Sequence, residues 1–215
     1  MAKYIPGQLG RIEGKLGELV LYQRRGIPVV KRRPEKRRLK ASASQLLQRE
    51  KFILATCFFS QVKEAVLLGY RERKTSMTVQ NRAMGNFLRN TCQQTNGDVR
   101  INYAGVIMAD GELDGLYESQ AVSLESNTIQ ITWLEQRYLR SGVSGEDQVC
   151  LLFYNQEKEI FYLKESAGKR MDCKLSLQLP EFMSDLDFHL WVFVISGIGK
   201  DVSSSLYMGK YYIIR

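Results

Sequence analysis

The chain has 215 residues, of which 44% are hydrophobic and 25% are charged, and its formal net charge is +8. This size and composition are typical of a folded globular protein with room for one large core or two smaller ones, and we expect two units. No segment approaches the roughly 18 uncharged apolar residues of a membrane span, and the first residues lack the apolar core of a signal peptide. We therefore expect no membrane partner and a cytoplasmic protein, or one assembled into a particle in the cytoplasm.

The positive charge is concentrated at the N-terminal end. Thirteen Lys and Arg residues but only four Glu residues lie among the first fifty, which gives this segment a net charge of +9 and the remainder −1. The densest cationic run, residues 31–40, is typical of a linker. A field concentrated in one segment favours an anionic partner and says little about fold.

Within this basic end, two short apolar runs at 18–23 and 27–31 flank the Arg24-Arg25-Gly26 sequence. A glycine that can take positive φ between two such runs predicts a β-hairpin. Pro28 should restrict the second strand to a sheet edge. Because an isolated hairpin is marginally stable in water, this arm, residues 1–41, should pack on the body of the protein or on a partner.

A helical segment is predicted over residues 42–95. Ser42 occupies an N-cap position, and the apolar residues recur every three or four positions through 45–68, as on one face of an amphipathic helix. Gly69 should end this helix. A second helix is predicted at about 77–92, and we expect the aromatic stripe of the pair to pack on a sheet rather than to line a ligand groove.

From residue 96 the pattern changes to strands. Residues 96–117 are predicted to connect the two parts, with short strands at 99–103 and 106–108 and with turns between them. Seven strand candidates then follow at near-regular spacing, at 121–124, 128–134, 148–154, 160–164, 174–179, 188–195 and 205–214. Such spacing predicts a self-contained antiparallel β-sandwich of immunoglobulin or fibronectin III type over 118–215.

The predicted fold class is thus α+β: a basic N-terminal β-hairpin arm, a two-helix segment and a C-terminal antiparallel β-sandwich. Trp133 and Trp191 are expected to anchor the cores of the two sheets. The four cysteines form no C-x-x-C pair, so we expect reduced and mostly buried thiols. Neither a metal nor another cofactor is predicted.

Catalytic signals are weak throughout. His189 is the only histidine, and Asp185 and Asp187 are near it only in sequence, whereas a general base needs an orienting acid and a nucleophile in contact. The segment from Gly10 to Lys15 is one residue short of a phosphate-binding loop and is followed by Leu16 where Ser or Thr is required. We predict that the protein is not an enzyme and has no small-molecule substrate.

An acidic cluster at Asp110, Glu112 and Asp114 resembles a calcium-binding loop only in its alternation. It lacks the twelve-residue frame and the terminal bidentate Glu, so two turns are the better interpretation.

The arm carries the candidate site. Arginine forms bidentate bonds to phosphate and carboxylate, and Tyr4 and Tyr22 could stack on bases. The predicted anion- and partner-binding residues are Lys15, Arg24, Arg25, Lys31, Arg32, Arg33, Lys36, Arg37, Arg38 and Lys40. Their partner could be an acidic protein surface or a nucleic acid, and a solvated linker is the third interpretation.

Three short motifs resemble a bacterial family of unknown function. That family has a glycine-rich G-K-x-G segment, matched from Gly14 to Gly17, a basic R-x-x-P stretch in which Lys31 replaces the arginine, and a helix with T-x-x-Q-x-x-x-R-x-x-F, in which Ser42 replaces the threonine. A further match is S-x-S-x-Y-x-G, which begins at Ser203. The resemblance spans nearly the whole chain, implies an N-terminal arm and helices joined to an immunoglobulin-like sandwich, and implies no catalytic residues.

These observations predict a non-enzymatic structural or interaction subunit of a larger assembly, such as a phage- or capsid-like particle. The subunit would dock on other protein subunits, identical or different, through its basic arm. The alternative is a nucleic-acid-binding protein that uses the same arm on phosphates.

Overall fold

The structure, a computed structural model, describes residues 2–3, 10, 12–34, 40–71, 77–95, 98–135, 142–199 and 201–215. The chain divides into two compact units, Met1–Ser42 and Ala43–Arg215. The predicted α+β class, with a hairpin arm, helices and a β-sandwich, is confirmed.

The first unit is a four-stranded antiparallel sheet in the order β1-β4-β3-β2. Its strands are β1 (Ala2–Lys3), β2 (Gly14–Leu16), β3 (Leu19–Arg24) and β4 (Ile27–Arg32). The predicted hairpin is present as β3 and β4. The expectation that Pro28 restricts β4 to an edge is wrong, because Val29 and Val30 pair with β1 on the side opposite β3. Pro28 itself pairs with Gln23 of β3 and lies outside the two residues of β4 that pair with β1.

The second unit begins with three helices, α1 (Ala43–Gln61), α2 (Lys63–Gly69) and α3 (Val79–Asn90). The predicted single helix over 45–68 is in fact two helices, with an 86° bend at Val62. The bend lets both helices contribute to one core, in which Phe58 and Val62 are buried. Gly69 ends α2 as predicted, and a Cβ there would lie 2.3 Å from the carbonyl oxygen of Met108.

A short hairpin connects the helices to the sandwich. It consists of β5 (Cys92–Thr95) and β6 (Asp98–Ile101), and a 3-10 turn, Tyr103–Gly105, follows. The predicted strand at 106–108 is wrong: the Val106 carbonyl accepts from the Trp191 indole N–H (3.1 Å), and the Met108 N–H donates to the Ser205 hydroxyl (2.8 Å). Side chains, rather than a neighbouring strand, satisfy this segment.

All seven predicted sandwich strands are present. They are β7 (Tyr117–Leu124), β8 (Thr128–Leu134), β9 (Gln148–Asn155), β10 (Ile160–Lys169), β11 (Lys174–Gln178), β12 (Asp187–Ile195) and β13 (Leu206–Tyr212). They form a four-stranded sheet, β10-β9-β12-β13, and a three-stranded sheet, β11-β8-β7, in which all pairings are antiparallel. This arrangement is a sandwich of the immunoglobulin or fibronectin III type.

The four-stranded sheet is the middle one of three layers. Alternate residues of β9, such as Leu151 and Phe153, face the other sheet, while Leu152 and Tyr154 contact the helical core. Burial is therefore continuous along β9 rather than alternating, as in strands that are covered on both faces. The aromatic stripe of the helices packs on this sheet as expected, since the Phe58 ring lies 5.2 Å from that of Tyr154.

The two tryptophans occupy different cores. Trp133 lies between the two sheets, as predicted. Trp191 is fully buried but faces the helices, so it joins the sheet to the helical layer rather than to the other sheet. The prediction of mostly buried thiols is also wrong, because only Cys150 is buried among four free cysteines.

Candidate docking surface on the N-terminal arm

A tight turn fixes the register of the arm. Arg25 and Gly26 both have left-handed backbone conformations, with φ values of 52° and 75°. Two such residues in succession define the type I′ turn that matches the twist of a hairpin. The turn therefore aligns Leu21 with Val30 and Tyr22 with Val29 across β3 and β4.

This register gives the arm two chemically different faces, because paired residues point to the same side of a sheet. We call one the basic face, which comprises Lys15, Val20, Tyr22, Arg24, Ile27, Val29 and Lys31. We call the other the apolar face, which comprises Gly14, Leu16, Leu19, Leu21, Gln23, Pro28, Val30 and Arg32.

Among the residues whose side chains are described, the basic face presents three exposed cations, Lys15, Arg24 and Lys31, and no carboxylate. Lys15 and Lys31 flank Val20 in one row across three strands. The Lys31 ammonium lies 5.2 Å from the centroid of the Tyr22 ring, a cation–π contact. A face that combines these cations with the Tyr22 ring has the chemistry to bind an extended anionic surface.

The other predicted binding residues are dispersed. Arg32 is on the apolar face and forms an ion pair with Glu18 at 3.1 Å, while Arg25 lies in the turn. The backbone N–H of Arg33 donates to the Glu18 carbonyl (2.6 Å), and Lys40 is exposed. The remaining three, Lys36, Arg37 and Arg38, lie outside the described residues.

His189 does not have the surroundings of a general base. Its ring stacks on Tyr103, with centroids 3.9 Å apart, and its Nδ1 lies 2.8 Å from the Tyr207 hydroxyl. Burial, together with the nearby Lys210 charge, lowers the pKa of His189 to about 4, although Asp187 opposes the shift. The imidazole is therefore neutral at physiological pH and packs as an aromatic ring.

The second unit contains a buried ion pair that sequence analysis missed. The Arg170 Nε donates to the Asp147 carboxylate at 3.2 Å, and Arg170 also donates to the carbonyls of Asp114 and Gly115. The carboxylate accepts from the Gly197 N–H as well (3.1 Å). The pair ties several loops at one end of the sandwich together.

Two of the surface clefts of the second unit are lined by described residues. One, of about 530 Å³, is polar and includes Glu181 and Asp185. The other, of about 460 Å³, lies between α1 and α3, with Phe59 and Met84 among its lining residues. Neither lining contains a histidine or a cysteine.

Within the part of the chain that the structure describes, no group of three His, Cys, Asp or Glu residues could hold a metal ion. No single helix among the described residues is long and apolar enough to cross a membrane; α1 and α2 together have that length and composition, but they are bent by 86°.

Comparisons with known proteins give a family without a known activity. A model of a family of unknown function (DUF6266) matches residues 11–209. Among solved structures, the fn3 domain of human collagen alpha-1(XX) chain is similar with 12% identity and a TM-score of 0.33, over 50% of this chain and 91% of that one. The fn3 domain of human contactin 1 has 15% identity and a TM-score of 0.32, over 57% of this chain and 92% of that one. The sequence matches no curated protein.

Proposed function

This chain belongs to the DUF6266 family of unknown function, and from that premise we propose that it is a non-enzymatic subunit of a larger assembly, such as a phage- or capsid-like particle. It docks on acidic surfaces of other protein subunits through its basic N-terminal arm.

The basic face is the observation that carries this proposal. It places Lys15, Arg24 and Lys31 on one side of a small sheet that forms a unit of its own. The segment beyond residue 50 has a net charge of −1. The positive electrostatic field of the chain therefore originates in its N-terminal end. A concentrated field steers anionic partners and raises their association rate.

The second unit supports the non-enzymatic part of the proposal. Catalysis requires titratable groups in mutual contact within a cleft. The single histidine packs between rings instead, and the buried Asp147 and Arg170 satisfy each other and the surrounding backbone.

Binding of a labelled polyglutamate tests the proposal, with polyglutamate standing for an acidic protein surface. The full-length chain should bind it at low salt, and binding should weaken as salt rises. Changing Lys15, Arg24 and Lys31 together to Gln should weaken binding about tenfold or more, since each lost contact is charge-assisted.

The matched control changes three exposed lysines of the second unit, Lys63, Lys158 and Lys174, to Gln. It removes the same charge and should change the affinity little. An equal loss in both triple variants would mean that only net charge matters, and absence of binding at low salt would refute docking by the arm.

Nucleic-acid binding by the same arm is the second candidate, and Tyr22 is the observation in its favour. An aromatic ring among cations on a sheet face can stack on a base. Single-stranded RNA of the same charge as the polyglutamate separates the two functions. Tighter binding of RNA that is lost in Tyr22→Leu would replace protein docking with nucleic-acid binding; equal binding would retain the protein partner.

A further inference from the structure

The apolar face of the arm is a second surface that requires a partner. Leu16 is 69% exposed and Leu19 is 43% exposed, and they lie beside each other across β2 and β3. Leu21 and Val30 form the next row. A sheet face of this composition normally packs against a second layer, because leaving it in water forfeits the burial of several aliphatic side chains.

The two faces differ in charge, and this difference decides which of them can pair with itself. Among the described residues of the apolar face, Arg32 is the one that carries a charge, and its ion pair with Glu18 neutralises it. The described side chains of the basic face carry three positive charges and no negative one. Two identical surfaces can meet without repulsion only if they are neutral or self-complementary, so the apolar face is the one that can pair with itself.

We infer that the apolar face packs against the same face of a second copy of this chain, as a two-fold, sheet-on-sheet contact. This inference goes beyond the proposed function, because it concerns the apolar face and a second copy of the chain, whereas the proposed function concerns the basic face and an acidic surface. Sheets pack about 10 Å apart through such faces. In the pair, both basic faces point outward and remain accessible to an anionic partner.

The contact has a distinctive salt dependence. The first fifty residues of each copy carry a charge of +9, so two arms that approach each other repel. Added salt screens that repulsion and strengthens apolar burial, and self-association should therefore increase with salt. Binding of an anionic partner to the basic face decreases with salt, so the two contacts respond in opposite directions.

Leu19 and Ile27 provide a matched pair of variants. Both side chains are 43% exposed, but Leu19 is on the apolar face and Ile27 is on the basic face. Leu19→Glu would bury a carboxylate at the contact and should weaken self-association about tenfold or more. Ile27→Glu adds the same charge to the opposite face and should leave self-association at high salt nearly unchanged.

The experiment is light scattering with sedimentation equilibrium on the full-length chain at low and high salt. The inference predicts a monomer–dimer equilibrium that shifts towards dimer at high salt and is lost in Leu19→Glu. Because Leu19→Glu could also unfold the arm, hydrogen exchange of the β3 and β4 backbone N–H groups is measured on the same sample. Retained protection from exchange shows a folded arm. Leu16→Glu, on the short β2 strand, repeats the test.

Three results would overturn the inference: a wild-type monomer at every concentration at high salt, an unchanged dimer in Leu19→Glu, or an equal loss in Ile27→Glu. A dimer that also persists in Leu16→Glu counts against it too. Wild-type polyglutamate binding that persists in these cases leaves the proposed function standing; its absence refutes that function independently.

Discussion

The arm and the body each contain an arginine–carboxylate ion pair of nearly the same length, in opposite surroundings. In the arm, Arg32 and Glu18 are 3.1 Å apart and 70% and 77% exposed. In the sandwich, Arg170 and Asp147 are 3.2 Å apart and 4% and 1% exposed. Water screens the first pair, so it contributes little to stability and leaves a surface neutral. The second pair is isolated from water, so losing either partner leaves a buried charge.

The same difference separates the two units as a whole. The arm has one buried residue among its described side chains, Val29, and depends on strand pairing and a turn. The body has cores on both faces of its central sheet. We therefore expect substitutions in the body to alter the free energy of unfolding and substitutions on the arm to alter association.

Removing a partner from each ion pair should give the largest contrast. Arg170→Met should lower the free energy of unfolding by about 3–5 kcal/mol, because Asp147 would remain buried without its counter-charge. Arg32→Met, the same substitution on the arm, should cost less than about 1 kcal/mol. Urea denaturation followed by far-UV circular dichroism, which reports the strands of both units, measures both values. A similar loss of unfolding free energy in the two variants would contradict the contrast between the two units.

The lowered pKa of His189 predicts a dependence of body stability on pH. The unfolded state takes up a proton as pH falls below about 6.5, whereas the folded state does so only near pH 4. Stability is therefore lost as pH decreases through this window. Because the ring is only partly shielded from solvent, we expect about 1–2 kcal/mol.

His189→Gln should remove that part of the pH dependence, measured as the change in unfolding free energy between pH 7 and pH 4. Tyr207→Phe is the control, since it removes the hydroxyl next to the imidazole but keeps the titrating group. A wild-type pH profile in His189→Gln would show that other groups cause the effect.

Helix capping should give the smallest change. α1 begins at Ala43, so Ser42 occupies the predicted N-cap position. Ser42→Ala should cost about 0.5–2 kcal/mol, and Ser44→Ala should be nearly silent. Thr78→Ala calibrates the measurement, because the Thr78 hydroxyl oxygen accepts from the Asn81 N–H at the start of α3 (3.2 Å). A larger effect at Ser44 would place the cap two residues later.

Local sequence patterns predicted the helices and strands well where neighbouring residues alone specify them. Alternation and turn residues identified all seven sandwich strands, and Arg25-Gly26 identified the arm hairpin. Apolar periodicity identified the helical segment but missed the bend at Val62, because the apolar spacing continues through it. The predicted strand at 106–108 failed because its backbone groups bond to side chains distant in sequence.

By itself, the sequence determined the separation of charge between the two ends of the chain and the order of its elements, since composition and short-range periodicity encode both. Only the tertiary structure decided which residues share a face. The pairing register brings Lys15, Arg24 and Lys31 together and places Arg32 on the opposite side. Likewise, Arg170 contacts Asp147 because the pairing of β10 with β9 brings Lys169 opposite Gln148. Such contacts join residues far apart in sequence, and no local pattern specifies them.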